Sequence, residues 1–559
     1  MKLNKYLIII SAFLIISAGC TKLDESFNDS LTSPGTSASS DITALLNNAY
    51  NDLNTPFTSQ DQIFSLEETV TDECLVPTRG GDWDDNGVWR VLHQHTWDVT
   101  HTQAQSVFIN LGTLESDATT VLAFSPTAEQ AAEAIFLRSL AQFYYLDLYG
   151  QVPYRTVEKY NSIDAPPVMQ PAEAIDTLTT NLNAIISVLS DDNQPYSASP
   201  NAARFLLMKV LLNKQAFLSR ESPGTADATD MAEIISLGNA IIQSGTTNSL
   251  TGAALELTPH YFDNFSPNNG GQDESYGFGV GNEMIFALPN LPGVSSNDGR
   301  STAGIDARWM MTLHYNSYGH EDAVSTDADY GYYGSAGWNG FSTIADFYEA
   351  FDASDTMRQG NVAYPGVTNV SGLKVGLLEG QQYDEDGEAR VDRNGNPLTF
   401  NATVSNIETD ATTLEDDGIR IIKYPPDYDN YSSGQQGNQL QIFRLADVYL
   451  MMAEAYLNKG NTASALALVN ELRSARKAAS LTSLTLVNTS DLYDANTLLA
   501  ERQKELYWES WRRQDLIRMG VFLQAWDLKD ADASSKYLLF PIPSTQLIAN
   551  PNLTQNPGY

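Results

Sequence analysis

Residues 444–476, RLADVYLMMAEAYLNKGNTASALALVNELRSAR, constrain the fold more tightly than any other stretch of the chain. The first half is apolar almost all round, and its exceptions Arg444, Asp447, Glu454 and Asn458 are spaced 3, 7 and 4 apart, on one narrow stripe. That spacing predicts a buried helix. Asn458-Lys459-Gly460-Asn461 then breaks the period with residues that end helices and tolerate positive φ. Thr462 is expected to cap a second helix whose apolar face is Ala465, Leu466, Val469 and Leu472, so the two form a helical hairpin.

From Tyr449, bulky and small residues alternate through Met452, Ala453 and Tyr456, and again at Ala465 and Val469. This resembles a tetratricopeptide repeat, in which a small residue lets two helices approach closely. An isolated alanine-rich hairpin has the same composition. Further helices are expected at 42–53, 125–149, 171–189, 201–219 and 231–243, separated by loops rich in Pro, Gly, Ser and Asp. Ser125 before Pro126 reads as the cap of the longest, which Gly150 stops. From about 250 to 418 the helical signal lapses into Gly, Asn and Asp, with a hairpin turn expected at 392–396. The expected fold is mostly α: a tetratricopeptide-like helical-repeat scaffold with a loop-rich, β-hairpin-containing insertion.

At the N-terminus, Lys2 and Lys5 precede the apolar run 6–16, and Ser17-Ala18-Gly19-Cys20 follows, the order of a secretory signal and too short to span a bilayer. Small residues ahead of a cysteine resemble the lipobox of bacterial lipoproteins, in which Cys20 is acylated; Ser17 departs from the leucine usual there, and ordinary secretion is the alternative. The acidic pair in 21–26 resembles the signal that sends Bacteroidetes lipoproteins to the cell surface. The expected organisation is a signal peptide at 1–19, a lipidated cysteine and flexible tether at 20–41, and an N-terminal helical-repeat region at 42–250. A C-terminal region follows at 251–559, loop-rich to 440, helical over 441–528, with a tail at 529–559. The formal charge of −37 becomes −39 once both signal lysines are removed, which argues against nucleic acid or anionic lipid as partner. With Cys20 acylated, Cys74 is left alone, so no intrachain disulfide forms and the core must hold the fold.

Four separated segments carry a family resemblance. The 125–149 helix runs into Tyr149-Gly150-Gln151-Val152-Pro153; 498–520 contains LAERQKELYWESWRRQDLIRMG; the tail runs from Phe540-Pro541-Ile542-Pro543 to Asn556-Pro557-Gly558-Tyr559. With the lipobox these resemble the SusD and RagB surface lipoproteins. The resemblance implies a helical body on the outer membrane that captures oligosaccharides for a TonB-dependent SusC-like transporter, with no catalysis and no cofactor.

Sugar rings have apolar C–H faces and hydroxyl rims, so a glycan site needs exposed aromatic platforms beside hydrogen-bonding side chains. Residues 71–98 have that composition, dense in Trp, Asp and Gly without a helical or strand period. Trp83, hemmed by Gly80-Gly81-Asp82 and Asp84-Asp85-Asn86-Gly87, is the first candidate, with Asp82, Arg79 and Trp89. Trp338 and Tyr333 lead a second concentration at 309–348, which also holds His314, Tyr315 and Tyr318. Residues 423–431 are a weaker candidate, whereas Trp97 and Trp309 are expected in the core.

His93, His95 and His101 lack a nearby cysteine to complete a zinc site, and Asp384-Glu385-Asp386-Gly387 lacks the acids of a calcium loop, so no metal is expected. There is no Gly-x-Ser-x-Gly elbow, phosphate-cradling loop or His-Glu-x-x-His motif. Two other functions fit the same sequence: peptide capture by the same body, and a structural lid on the transporter that binds no nutrient.

Overall fold

The computed structural model describes residues 39–79, 82–191, 195–248, 252–267, 269–270, 279–290, 304–305, 307–314, 337–363, 374–383, 387–392, 394–407, 415–425 and 437–559. Cys20, the tether up to residue 38, Tyr333 and the 384–386 run lie outside them. The body is mostly α, as the periodicity predicts, with short antiparallel sheets.

The helices that build the scaffold are α1 (Ser39–Asn51), α2 (Thr102–Ala123), α3 (Ala128–Tyr149), α4 (Pro171–Ile185), α5 (Pro200–Leu218), α6 (Ala228–Ile242), α7 (Leu445–Asn458) and α8 (Thr462–Ala475). From α2 onward each packs on the next in chain order, and α6 packs directly on α7 across some 200 intervening residues. The insertion therefore loops out of one continuous array. A Cβ at Gly238 of α6 would lie 2.4 Å from Met452 Sδ, so the bare backbone is what lets α6 and α7 close up, the device of a helical repeat.

The caps differ from the sequence reading in two places. Thr127, not Ser125, caps α3, in a reciprocal capping box with Gln130, while Ser125 takes φ 58° in the turn before it. Asn461, not Thr462, caps α8 by accepting the Ser464 N–H. The C-terminus of α3 is as expected, with Gly150 left-handed at φ 68°.

Strands β1 (Met284–Leu288) and β5 (Leu440–Arg444) pair antiparallel, with β5 leading straight into α7. In the insertion, β2 (Gly360–Ala363), β3 (Lys374–Leu378) and β4 (Arg420–Ile422) form an antiparallel sheet. The turn at 392–396 closes a hairpin: Asp392 Oδ1 accepts the N–H groups of Asn394 and Asn396, and Gly395 has φ 82°.

Within the region expected to be helical over 441–528, the segment 498–520 forms two helices. Helices α9 (Leu498–Leu506) and α10 (Arg512–Arg518) are separated by a corner in which Trp508 and Ser510 take φ 57° and 65°. Tertiary contacts impose it: Trp508 Nε1 donates to Glu73 O, and the Ser510 N–H to Glu68. Two of the sequence motifs also clasp one another. Asn556 Nδ2 donates to Tyr149 O at 3.0 Å, and Gln151 exchanges side-chain bonds with the Thr554 backbone at 2.6 and 3.0 Å.

The polar stripe of α7 faces a buried lattice of ions. Arg444, ending β5, reaches Glu283 (2.9 Å), Glu505 (2.7 Å) and Glu509 (2.7 Å). Asp447 meets Arg502 at 2.7 Å and Lys209 at 2.6 Å, and Glu454 meets Arg518 at 2.6 Å. Arg476 bridges Glu283 and Glu505 at 2.6 and 2.8 Å. Burial pushes the Glu505 carboxyl up, but Arg476 and Arg444 outweigh it and hold it well below the usual carboxylate range.

Candidate glycan-binding cleft

Two loops separated by 255 residues meet at an indole: Trp83 Nε1 donates to the Trp338 carbonyl at 2.6 Å. Each loop is pinned from behind. The first turns at Arg79 and Asp82, which exchange backbone hydrogen bonds at 3.1 Å, and Trp83 follows with φ 63°, rare for a bulky residue. The second is tied at Ser342, which pairs with Leu75, and at Asn339 and Gly340, whose N–H groups bond Leu313 O and Met311 O. Gly340 has to be glycine here, since its Cβ would lie 2.4 Å from Trp83 Cε2.

The result is an aromatic wall. Trp83 is half-buried, edge-on to Trp89 (centroids 5.5 Å) and Phe341 (5.4 Å) and tilted to Trp338 at 6.4 Å. Trp338 is 37% exposed, so both indoles offer ring surface to solvent. They border an open cleft of about 1020 Å³, whose other walls carry Gln60, Asp61, Asp82, Asp85, Asn86 and Thr100.

Of the residues expected from the sequence, Trp83, Trp338, Asp82 and Trp89 come together at this cleft. Asp82 is exposed at its rim. Trp89 is buried, with Nε1 donating to Asp85 Oδ2 at 2.8 Å, and it serves as backing for Trp83 more than as an open platform. Arg79 requires correction: its guanidinium is fully buried and donates to Asp417 O (2.6 Å) and Ser342 Oγ (3.1 Å), so it supports both loops from beneath and does not face the cleft. Burial lowers its pKa to about 9. In 423–431, the described Lys423 and Tyr424 are also interior, with Lys423 Nζ 2.6 Å from Glu509 and 4.0 Å above the Tyr507 ring. Trp97 and Trp309 are core residues, as expected.

Gln60, Asp61, Thr100, Phe341 and Gly340 are the neighbours that sequence reasoning missed. The first three lie at helix ends with no distinguishing pattern, whereas Trp338-Asn339-Gly340-Phe341 carried a usable signal in its glycine between aromatics. The histidines are occupied separately. His93 contacts Cys74 O and Asp527 O, and His95 contacts Asp532 and Val70 O, burial lowering the His95 pKa to about 4. Among the described residues, no group of three His, Cys, Asp or Glu side chains is placed to hold a metal. No described helix is long and apolar enough to cross a membrane.

The sequence profile of the SusD family matches residues 214–559, more than half of the chain. The chain belongs to the SusD family. Among curated proteins it is similar to the starch-binding protein SusD of Bacteroides thetaiotaomicron, 25% identical across 89% of this chain and 85% of that one. Among solved structures it resembles a SusD superfamily protein of Parabacteroides distasonis, with TM-score 0.64 and 18% identity over 94% of this chain and all of that one. It also resembles a laminarin-binding SusD-like protein, with TM-score 0.61 and 19% identity over 93% and 99%. At these identities the likeness to solved structures speaks for the fold.

Proposed function

We propose that this SusD-family protein captures oligosaccharides at the cell surface, on the wall formed by Trp83 and Trp338, and passes them to a TonB-dependent SusC-like transporter. The observation that carries the reading is the meeting of two indoles 6.4 Å apart, Trp338 exposed and Trp83 half-buried, over an open cleft rimmed by carboxylates and amides. Indole faces suit the C–H faces of pyranose rings, and Asp and Asn side chains suit their hydroxyls. Starch binding by SusD of B. thetaiotaomicron and laminarin binding by the SusD-like structure support the choice of ligand class. Acylation at Cys20 provides the tether to the outer membrane, with the body facing outward. The role is binding without catalysis.

Each stacked ring adds about 0.5–1.5 kcal/mol beyond area burial, so affinity in the micromolar to millimolar range is expected, weak enough for release into a pore. Calorimetric titration of the full chain against plant, fungal and bacterial glycans, with a peptide mixture alongside, tests this. Heat with one glycan class supports the proposal. Heat with peptides alone, or silence from a folded sample, refutes it.

A further inference from the structure

We infer that the cleft selects neutral saccharides and turns away chains bearing carboxylate or sulfate groups. The inference rests on the glycan-binding reading above and adds the charge class of the ligand. Asp61, Asp82, Asp85 and Asp98 all line the cleft, and no described lining residue is Lys or Arg.

The surroundings reinforce the negative sign. Thr100 donates to Asp98 Oδ1 through Oγ1 at 2.6 Å and through its N–H at 2.8 Å, and these bonds hold the Asp98 carboxyl below its ordinary pKa. His101 adds no compensating charge. Its Nδ1 accepts the Ala104 N–H, Nε2 faces Val88 O at 3.1 Å, and burial lowers its pKa. Arg90, on the short helix Val88–His93, is held by Asp84 and Thr78. Lys536 lies beyond Asp98, with Nζ 4.7 Å over the Tyr537 ring and 5.1 Å over Tyr559.

A carboxylate wall acts differently on the two ligand classes. Neutral hydroxyls donate charge-assisted hydrogen bonds to it, whereas an anionic ring entering the cleft meets several like charges within about one Debye length, roughly 8 Å at physiological salt. A site built for uronates or sulfates would instead present arginine forks.

The test titrates the full chain with laminari-, xylogluco- and malto-oligosaccharides and with the same preparations oxidised at C6 to carboxylates. At low salt the oxidised form of whichever parent binds should be weaker by about tenfold or more. The gap should narrow in 0.5 M salt, and also at low salt in the double variant Asp82→Asn/Asp98→Asn. Equal affinity of parent and oxidised forms at low salt overturns the charge selection and leaves glycan binding standing. A gap unchanged by salt and by the double variant means exclusion by shape, which also overturns it. Silence from every neutral glycan overturns the glycan reading and this inference together.

Discussion

The aromatic cleft and the ion lattice beneath α7 are opposite uses of the same chain. The cleft is made by loops, holds its indoles at the surface and strains its backbone at Trp83. The lattice is made by helix faces and a strand end, with Arg444, Arg476, Arg502, Glu283, Glu505 and Asp447 all essentially excluded from solvent. The buried arginines are matched by buried carboxylates, so the lattice is close to neutral and the formal charge of −37 falls on the exterior. The motif Glu501-Arg502…Glu505…Glu509…Arg512…Asp515…Arg518, which carries the family resemblance, is the lattice itself and not a ligand contact. Recognising the family therefore identifies the scaffold. Trp83 and Trp89 lie outside the profile-matched 214–559, so the ligand has to be read from the cleft.

Breaking the lattice should give the largest effect. Arg444→Ala removes the cation that Glu283, Glu505 and Glu509 share, leaving the first two to Arg476 and the third to Lys423, and removing one partner of a buried pair costs about 3–5 kcal/mol. Urea unfolding should show that loss in the midpoint.

A second effect separates the regions by pH. Burial raises the Glu68 carboxyl to about 8 from an ordinary 4.5, so the folded state holds this proton more tightly than the unfolded chain. Its contribution is complete below pH 4.5 and is lost as pH rises through about 8. His95 has the opposite sign and its window closes near 6.5, while burial raises Glu67, Glu73, Glu115 and Asp52 in the same sense as Glu68, so its own share over pH 6.5–8 is read from its substitution. Glu68→Gln should flatten the decline in stability over that range, by at most about 1.4 kcal/mol per pH unit. An unchanged slope in thermal unfolding would assign the titration elsewhere.

The cleft should respond in affinity. Trp83→Ala removes the ring that touches Trp89, Phe341 and Trp338 and should weaken glycan binding by at least tenfold while the chain stays folded. The smallest effect belongs to Trp338→Ala. That change keeps the carbonyl that anchors Trp83 and removes one half-exposed platform, for about a threefold to tenfold loss in calorimetry.

The hairpin at 445–475 and the array of helices were legible because apolar periodicity is local. The stripe Arg444, Asp447, Glu454 was legible as a stripe, but its partners Glu505, Arg502 and Arg518 lie 55 to 64 residues away, beyond any periodic signal. The corner at Trp508–Ser510 was missed because contacts with Glu68 and Glu73 impose it over a good helical sequence. Trp83 stood out through its polar and glycine neighbours. Its union with Trp338, and the burial of Arg79 beneath both loops, are products of tertiary folding and left no local mark.

The most direct test is a crystal structure of the chain with the glycan that the titration panel identifies. The account predicts a sugar ring against Trp83 and Trp338 with its hydroxyls toward Asp82; a glycan seated elsewhere on the body, with those indoles bare, would contradict it.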